Sequence, residues 1–516
     1  MITILEKPIP FGGGIHLPPN KSVSLEQPIR KASLASVFKI PVRQHIGLPA
    51  EVIVKPGDKV LKGQVIASPQ GYVSAPVHAS TSGIIKEIAD HPIPNPSGAK
   101  SSCIVIESDG EDKWIEGRKF VEDFYSLSPV QVQQRVFESG IVGLGGAGFP
   151  SAVKLIPGLN LDIELLILNA AECEPYISCD EALIRNNVQD VIKGIEILAH
   201  ALQVDECVIA IEDNKTEAIK ILQDGLEKYA GIEIKLMQVS SLYPAGGEKQ
   251  LIKSITGIEV PADGLPVDIG VVCYNVGTAV AVKKAIIDAE PLISRIVTVT
   301  GPGIHQPCNL EVLIGTPIND LIEQCGGYND QFAYLIMGGP MMGFKLHGDQ
   351  VPVIKTTNCL LAAGAEIQAS NIKEFPCIRC DECAPVCPVN LQPQQLYWHS
   401  KEFNRDRLED YRLFDCIECG CCSYVCPGHI PLVENFRQAK SRIWDLRRKQ
   451  LEAEQNRQRY LDKQTRLEQE LKEKQNERSG RLATPEINTL KTKRDEIAAA
   501  VQRVKEKRKL KESPTD

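Results

Sequence analysis

Nine of the seventeen cysteines fall between Cys377 and Cys426, and eight of these repeat one spacing. Cys377-Ile-Arg-Cys380-Asp-Glu-Cys383-Ala-Pro-Val-Cys387-Pro388 and Cys416-Ile-Glu-Cys419-Gly-Cys-Cys422-Ser-Tyr-Val-Cys426-Pro427 both read C-x2-C-x2-C-x3-C-P. Thiolates are soft ligands suited to iron–sulfur clusters or zinc. A structural zinc needs only one pair of C-x2-C units; duplicated order with a proline after each fourth cysteine favours clusters. Three thiolates two residues apart can wrap three iron corners of a cubane in one turn-rich loop. The fourth, displaced onto a following helix and set off by proline, reaches the other cluster. Cys377, Cys380, Cys383 and Cys426 are therefore assigned to one 4Fe-4S centre, and Cys416, Cys419, Cys422 and Cys387 to a second. Cys421 is left unligated. Clusters linked in this way pass single electrons.

A second chemical signal lies upstream. Gly143-Leu-Gly145-Gly146-Ala-Gly148-Phe-Pro-Ser-Ala-Val-Lys154 is a glycine loop running toward a predicted helix. Such a loop offers backbone N–H groups to an anion. Its spacing is neither the dinucleotide fingerprint nor a P-loop, and a glycine-rich turn by itself is as readily tight packing. Further on, Leu165-Leu-Ile-Leu-Asn169-Ala-Ala-Glu172-Cys-Glu174-Pro reads as a buried strand whose end carries an amide and two carboxylates. Open α/β sheets place ligands at such ends. A solvated loop is the bland alternative for the two glutamates.

The elements that position these groups need several cores. With 516 residues, 43% hydrophobic and 24% charged, the chain is long enough for three or four domains, which excludes a disordered or fibrous protein. The start lacks a basic region followed by an apolar one, so secretion is not expected. No apolar stretch is long enough to span a bilayer. Without a secretory signal, seventeen cysteines suit metal ligation better than disulfides. Charge is uneven. From residue 437 onward 23 Lys and Arg face 14 Asp and Glu, a net of +9 against −8 for the whole chain, so a basic tail follows an acidic body.

The glycine loop followed by N-A-x-E-x-E-P resembles the NADH-oxidising flavoprotein subunit of respiratory complex I. Tyr243-Pro-Ala-Gly-Gly-Glu248 and Val271-Val-Cys-Tyr-Asn275-Val-Gly-Thr278 resemble its later flavin-side motifs. Joined to a double cysteine run of the bacterial ferredoxin type, the order resembles the C subunits of Rnf (Rsx) ion-translocating electron transport complexes, over about residues 1–436. The resemblance implies FMN against Gly143, Gly145, Gly146 and Gly148, with Lys154 near the phosphate and Asn169 and Asn275 near the ring. It places Glu172 and Glu174 beside the nicotinamide nucleotide as catalytic residues. Leu144, Ala171 and Tyr274 depart from the complex I pattern, which has Arg, Asp and Asn there.

Between Ala50 and Ile88, apolar alternation among Gly/Pro turns predicts short strands and resembles a barrel-sandwich hybrid. No lysine lies between Lys62 and Lys86, so a docking module rather than a swinging arm is expected, with His78 on its surface. The β-branched run from Arg295 and the helix before Cys325 look like a soluble-ligand-binding β-grasp unit. In the tail, apolar positions from Leu461 to Val504 recur at helical spacing. A break is expected at Ser479-Gly480 and a restart at Thr484-Pro485-Glu486.

The expected fold is multidomain, α/β and α+β. An extended leader (1–35) precedes a barrel-sandwich hybrid (36–118), a Rossmann-like domain for FMN and NADH (119–290) and a β-grasp unit (291–350). A helical double 4Fe-4S ferredoxin-type domain (365–436) and a basic helical tail (437–516) follow. The resemblance implies FMN and two 4Fe-4S clusters as cofactors and NADH as substrate. It implies integral membrane subunits and a ferredoxin-type carrier as partners, no nucleic acid, and a peripheral place on the cytoplasmic side of the cell inner membrane. Alternatives are a soluble flavin-dependent corrin reductase of the same module order, and an electron-carrying scaffold without a nucleotide site.

Overall fold

The computed structural model describes residues 2–156, 162–365, 373–483 and 486–509. They fall into two compact units, Met1–Gln438 and Ala439–Asp516.

In the first unit the alternating segment folds as two small antiparallel sheets. One has the strand order Val37–Pro41, Lys100–Ser108, Gly83–Pro92, Lys59–Val60; the other has Glu51–Val52, Val65–Ser68, Val77–His78. Phe38, Ile40, Ile66, Ile85, Ile104 and Ile106 fill the space between them, each fully buried. The module is docked: the Ser80 hydroxyl donates to the Ile314 carbonyl at 2.6 Å. His78 corrects the surface expectation. It is 5% exposed, and burial, with the Lys355 ammonium nearby, pushes its imidazole down to about 3. Lys355 is itself buried, which lowers it to about 7, and donates to the carbonyls of Pro76 (2.9 Å) and Gly140 (2.6 Å).

The central sheet is parallel, in the order Ile234–Val239, Glu206–Glu212, Leu165–Ala170, Val271–Asn275. Leu166 and Leu168 pack into one core and Leu165 and Ile167 into the other. Helices cover both faces, hence the unbroken apolar run. The chain builds outward from Leu165–Ala170 and then returns to its other side at Val271–Asn275, a switch in strand order. Asn169 and Asn275 are register partners at that switch.

A six-stranded sheet packs beside it, in the order Arg30–Lys31, Cys308–Leu313, Ser294–Thr300, Cys359–Ala363, Tyr334–Met337, Phe344–Lys345. It draws strands from outside the expected 291–350 segment, including one from the leader. That leader is a packed strap. Leu5 and Ile9 donate to Ile255 and Ser254, Gly14 donates to Val386, Tyr176 donates to Pro19, and Phe11 is 4% exposed. No periodicity marks such a strap, because its contacts are made one residue at a time.

The helix Leu432–Ala483 runs through Ser479 and Gly480, against the expected break. A glycine in an exposed helix costs only about 1 kcal/mol relative to alanine. Thr484 and Pro485 lie outside the described residues; the next helix is Glu486–Lys509. In the second unit Leu451, Leu461, Leu467, Leu471, Leu490, Ile497, Val501 and Val504 are exposed. Among the described residues no helix is long and apolar enough to cross a membrane.

Candidate functional site

The two cysteine runs fold as a pseudo-repeat. Arg379 and Glu418, Asp381 and Gly420, and Asn390 and His429 are equivalent pairs, with φ from +50° to +86°. These left-handed residues curl each loop so that successive thiols turn inward. Pro393–Glu402 and Leu432–Ala483 each begin six residues after the fourth cysteine. One cavity is lined by Cys377, Cys380, Cys383 and Cys426; another by Cys387, Cys416, Cys419 and Cys422. Each fourth cysteine thus faces the other run, the donor set a cubane needs. The two cages differ in depth. Cys380 is exposed in the first, whereas Cys387, Cys419 and Cys422 are 7–8% exposed in the second. Cys421 also lines the inner cage and shares a hydrogen bond with Cys419.

The glycine loop lies at the C-terminal edge of the parallel sheet, pinched shut by a bridge between Val142 and Pro150. Gly145, Gly146 and Ala147 are exposed and, among the described residues, donate no backbone hydrogen bond to the protein. A Cβ on Gly146 (φ +106°) would meet nothing within 4 Å, and one on Gly145 would lie 3.5 Å from Asn275. Gly143 donates to Phe149, and Gly148 (φ +67°) fits tightly against Thr356. The predicted helix after the loop is short, Ser151–Leu155. Lys154 pairs with Glu248 at 2.7 Å and donates to the Cys273 carbonyl at 3.0 Å. Asn169 donates to the Gly246 carbonyl at 2.8 Å. The Asn275 oxygen accepts from Gly277 at 2.9 Å and caps the helix Val276–Ile286. Free N–H groups, a bare glycine surface and two oriented amides at a switch point fit a phosphorylated planar ring.

The two glutamates face inward instead. Glu172 accepts from the N–H of Asp180 at 2.9 Å, capping the helix Cys179–Leu202, and pairs with Lys21 at 3.9 Å. Lys21 also donates to the Glu172 carbonyl. Glu174 accepts from the N–H groups of Met341 (2.7 Å) and Met342 (3.0 Å), fixing the turn at 338–343. Burial raises its pKa against those donors and Tyr243. Both carboxylates are spent on backbone N–H groups, and Glu172 also on the buried Lys21 ammonium.

Tyr243 joins the two regions. It is 1% exposed, its hydroxyl donates to the Cys419 carbonyl at 2.6 Å and it packs with Cys419 and Cys421. Its motif continues to Gly246, which receives Asn169. Sequence reading saw the motif but not this contact. It also missed Arg295, buried at the head of a strand, whose guanidinium holds the Leu144 carbonyl at 3.1 Å. The only available signal was a lone cation before a β-branched run.

A glycine-loop crevice at the switch point of a parallel sheet, with Tyr243 bridging from its neighbouring motif to the inner of two four-thiolate cages, is the arrangement of an electron-transfer protein of the FMN and iron–sulfur class. Four family descriptions match it: RnfC barrel sandwich hybrid domain over residues 9–111, Nuo51 FMN-binding domain over 136–284, SLBB domain over 296–345 and 4Fe-4S dicluster domain over 376–430. Among relatives, the C subunit of the ion-translocating oxidoreductase complex of Haemophilus influenzae (strain PittEE) is 46% identical over 460 residues, 89% of this chain and 70% of the relative. That of strain 86-028NP is 44% identical over 506 residues, 98% and 76%. The Pseudomonas aeruginosa relative is 47% identical over 457 residues, 89% of this chain and 58% of its own length. The chain belongs to the family formed by the C subunits of ion-translocating oxidoreductase complexes.

Proposed function

We propose that this chain is the peripheral electron-input subunit of a membrane-bound complex that couples electron transfer between NADH and a ferredoxin-type carrier to ion translocation. Its site is the cytoplasmic face of the inner membrane, beside integral membrane subunits. In this reading the parallel sheet is a Rossmann-like flavin domain and the six-stranded sheet a β-grasp unit covering it. Bound FMN would supply the exchange between a hydride and single electrons, and two 4Fe-4S clusters would carry those electrons.

The residues divide that work. The loop of Gly143, Gly145, Gly146 and Gly148 lets the ring and phosphate approach backbone, with Lys154 beside the phosphate. Asn169 and Asn275 orient the ring from adjacent strands. Glu172 and Glu174 act on the nucleotide by shaping its surroundings, the first through the helix it caps and the second through the 338–343 turn. The cage of Cys387, Cys416, Cys419 and Cys422 receives electrons first, and the exposed cage of Cys377, Cys380, Cys383 and Cys426 hands them on.

The observation that carries this reading is the Tyr243 contact with Cys419, which sets the buried cage against the flavin motif. The inward-facing glutamates favour a second reading, an electron-carrying scaffold without a nucleotide site. Full-length protein purified anaerobically, assayed for FMN and iron and mixed with NADH in a stopped-flow instrument separates the two. Flavin bleaching followed by cluster reduction supports the first. Iron-loaded protein that NADH does not reduce establishes the second.

A further inference from the structure

Behind the glycine loop lies a cavity of about 110 Å³, with room for more than one water. Leu144 and Gly277 form the wall toward the flavin motifs, Asp180 and Asn187 the helix side, and Arg295 and Glu311 the six-stranded-sheet side. Asn187 leaves helical geometry (φ −136°, ψ 39°) where the helix Cys179–Leu202 lines the cavity, a local break in the helix at that point.

Asp180 connects this space to the flavin site. Its Oδ2 accepts from the Asn275 amide nitrogen at 2.5 Å. Asn275 has no rotational choice, because its oxygen is held by the N–H groups of Gly277 (2.9 Å) and Thr278 (3.4 Å). One of its two amide hydrogens goes to Asp180, leaving the other for an acceptor on the ring edge. Resting on the flavin placement argued above, we propose that Asp180 is a positioning residue that takes up one proton through this cavity when the flavin is reduced, acting through Asn275. The carboxylate gains that proton and becomes a neutral carboxyl. The electron pair comes from the added reductant and resides on the flavin; no bond to carbon changes at Asp180.

The charges around Asp180 place the event near neutrality. Burial and then the Glu172 carboxylate push it up to about 7, while Asn275, Arg295 and Lys215 pull the other way. Cys179 adjoins it, and Glu311, Lys284 and Asp190 line the far side of the cavity. Negative charge arriving on the ring disfavours the carboxylate further, so reduction draws in a proton.

The test is a spectroelectrochemical titration of the FMN in the loaded full-length protein across pH 5.5 to 8.5. Above about pH 7 the fall of potential with pH should steepen by about 30 mV per pH unit, the two-electron equivalent of tenfold in proton activity. Asp180→Asn should abolish the bend with FMN stoichiometry unchanged, and Asp180→Glu should keep a bend at a shifted pH. Infrared difference spectra should show a carboxyl C=O band on reduction of the parent that is lost in Asp180→Asn. An unaltered profile in loaded Asp180→Asn overturns the proposal. So does an unaltered bend in loaded Asn275→Ala, and so does loss of FMN from both Asp180 variants, since the carboxylate would then only hold the site together. A parent that binds no FMN sinks the flavin placement as well, whereas a loaded parent with constant slope sinks this inference alone.

Discussion

Replacing Cys387 by alanine should empty the cage that is distant in sequence. Cys387 lines the cavity of Cys416, Cys419 and Cys422 and not that of its neighbours Cys377, Cys380 and Cys383. The variant leaves three thiolates in the inner cage and four in the outer, so iron should fall from about eight to about four atoms per chain. Packing is little disturbed. Alanine keeps the backbone against which Gly13 is pressed, and the loss of a small, 8% exposed side chain is worth on the order of 1 kcal/mol. Cys421, fully buried in the same cage, is the one escape route to foresee: its thiol could replace the missing ligand. Pairing Cys387→Ala with Cys421→Ala closes it. The assay is iron counting with EPR of the dithionite-reduced protein. Spin-coupled two-cluster features should collapse to an isolated cluster, and an iron chelator should strip that cluster quickly because Cys380 is exposed. Cys426→Ala should do the converse and leave a chelator-resistant cluster. If Cys387→Ala instead keeps the buried cluster and loses the exposed one, the crossed ligation is wrong.

Gly146→Val, at φ +106°, forces a β-branched residue into left-handed backbone at a cost of about 1–3 kcal/mol and fills the bare surface of the loop. Protein with both clusters and no FMN is expected, and unchanged flavin stoichiometry would refute the placement. Glu174→Ala removes the acceptor of two backbone N–H groups and should lower stability by about 2 kcal/mol in chemical denaturation, while iron content stays intact. His78 is neutral when folded down to about pH 3 but takes a proton below about 6.5 when unfolded. Its contribution is thus present above pH 6.5 and lost as pH falls toward 3, so His78→Gln should flatten the acid limb of the stability profile. A limb of unchanged steepness would show that other groups govern acid sensitivity.

Legibility followed the range of the interactions involved. Cysteine spacing anticipated which thiols line each cavity: a few turn residues curl three of them together, and the duplicated order supplies the fourth from the other run. The apolar run at Leu165–Ala170 announced a strand covered on both faces, and the alternation before Ile88 announced short sheets, since periodicity reports burial directly. The leader, the neighbourhood of His78 and the extra strands of the six-stranded sheet were not legible. Each depends on contacts between segments far apart in the chain, such as Arg30 with Leu310 or Lys355 with Pro76.

The sequence by itself determined the groups this protein offers to chemistry: eight thiols in two interlocking sets, a bare glycine surface, and amides at a strand end. Only the tertiary structure decided which cage is buried, that Tyr243 joins it to the flavin motif, and that Glu172 and Glu174 turn inward. The reason is physical. A motif states which atoms can bind, but whether a carboxylate meets solvent or a buried N–H depends on what packs against it. For Glu174 that partner is a turn some 170 residues away, brought there by the six-stranded sheet.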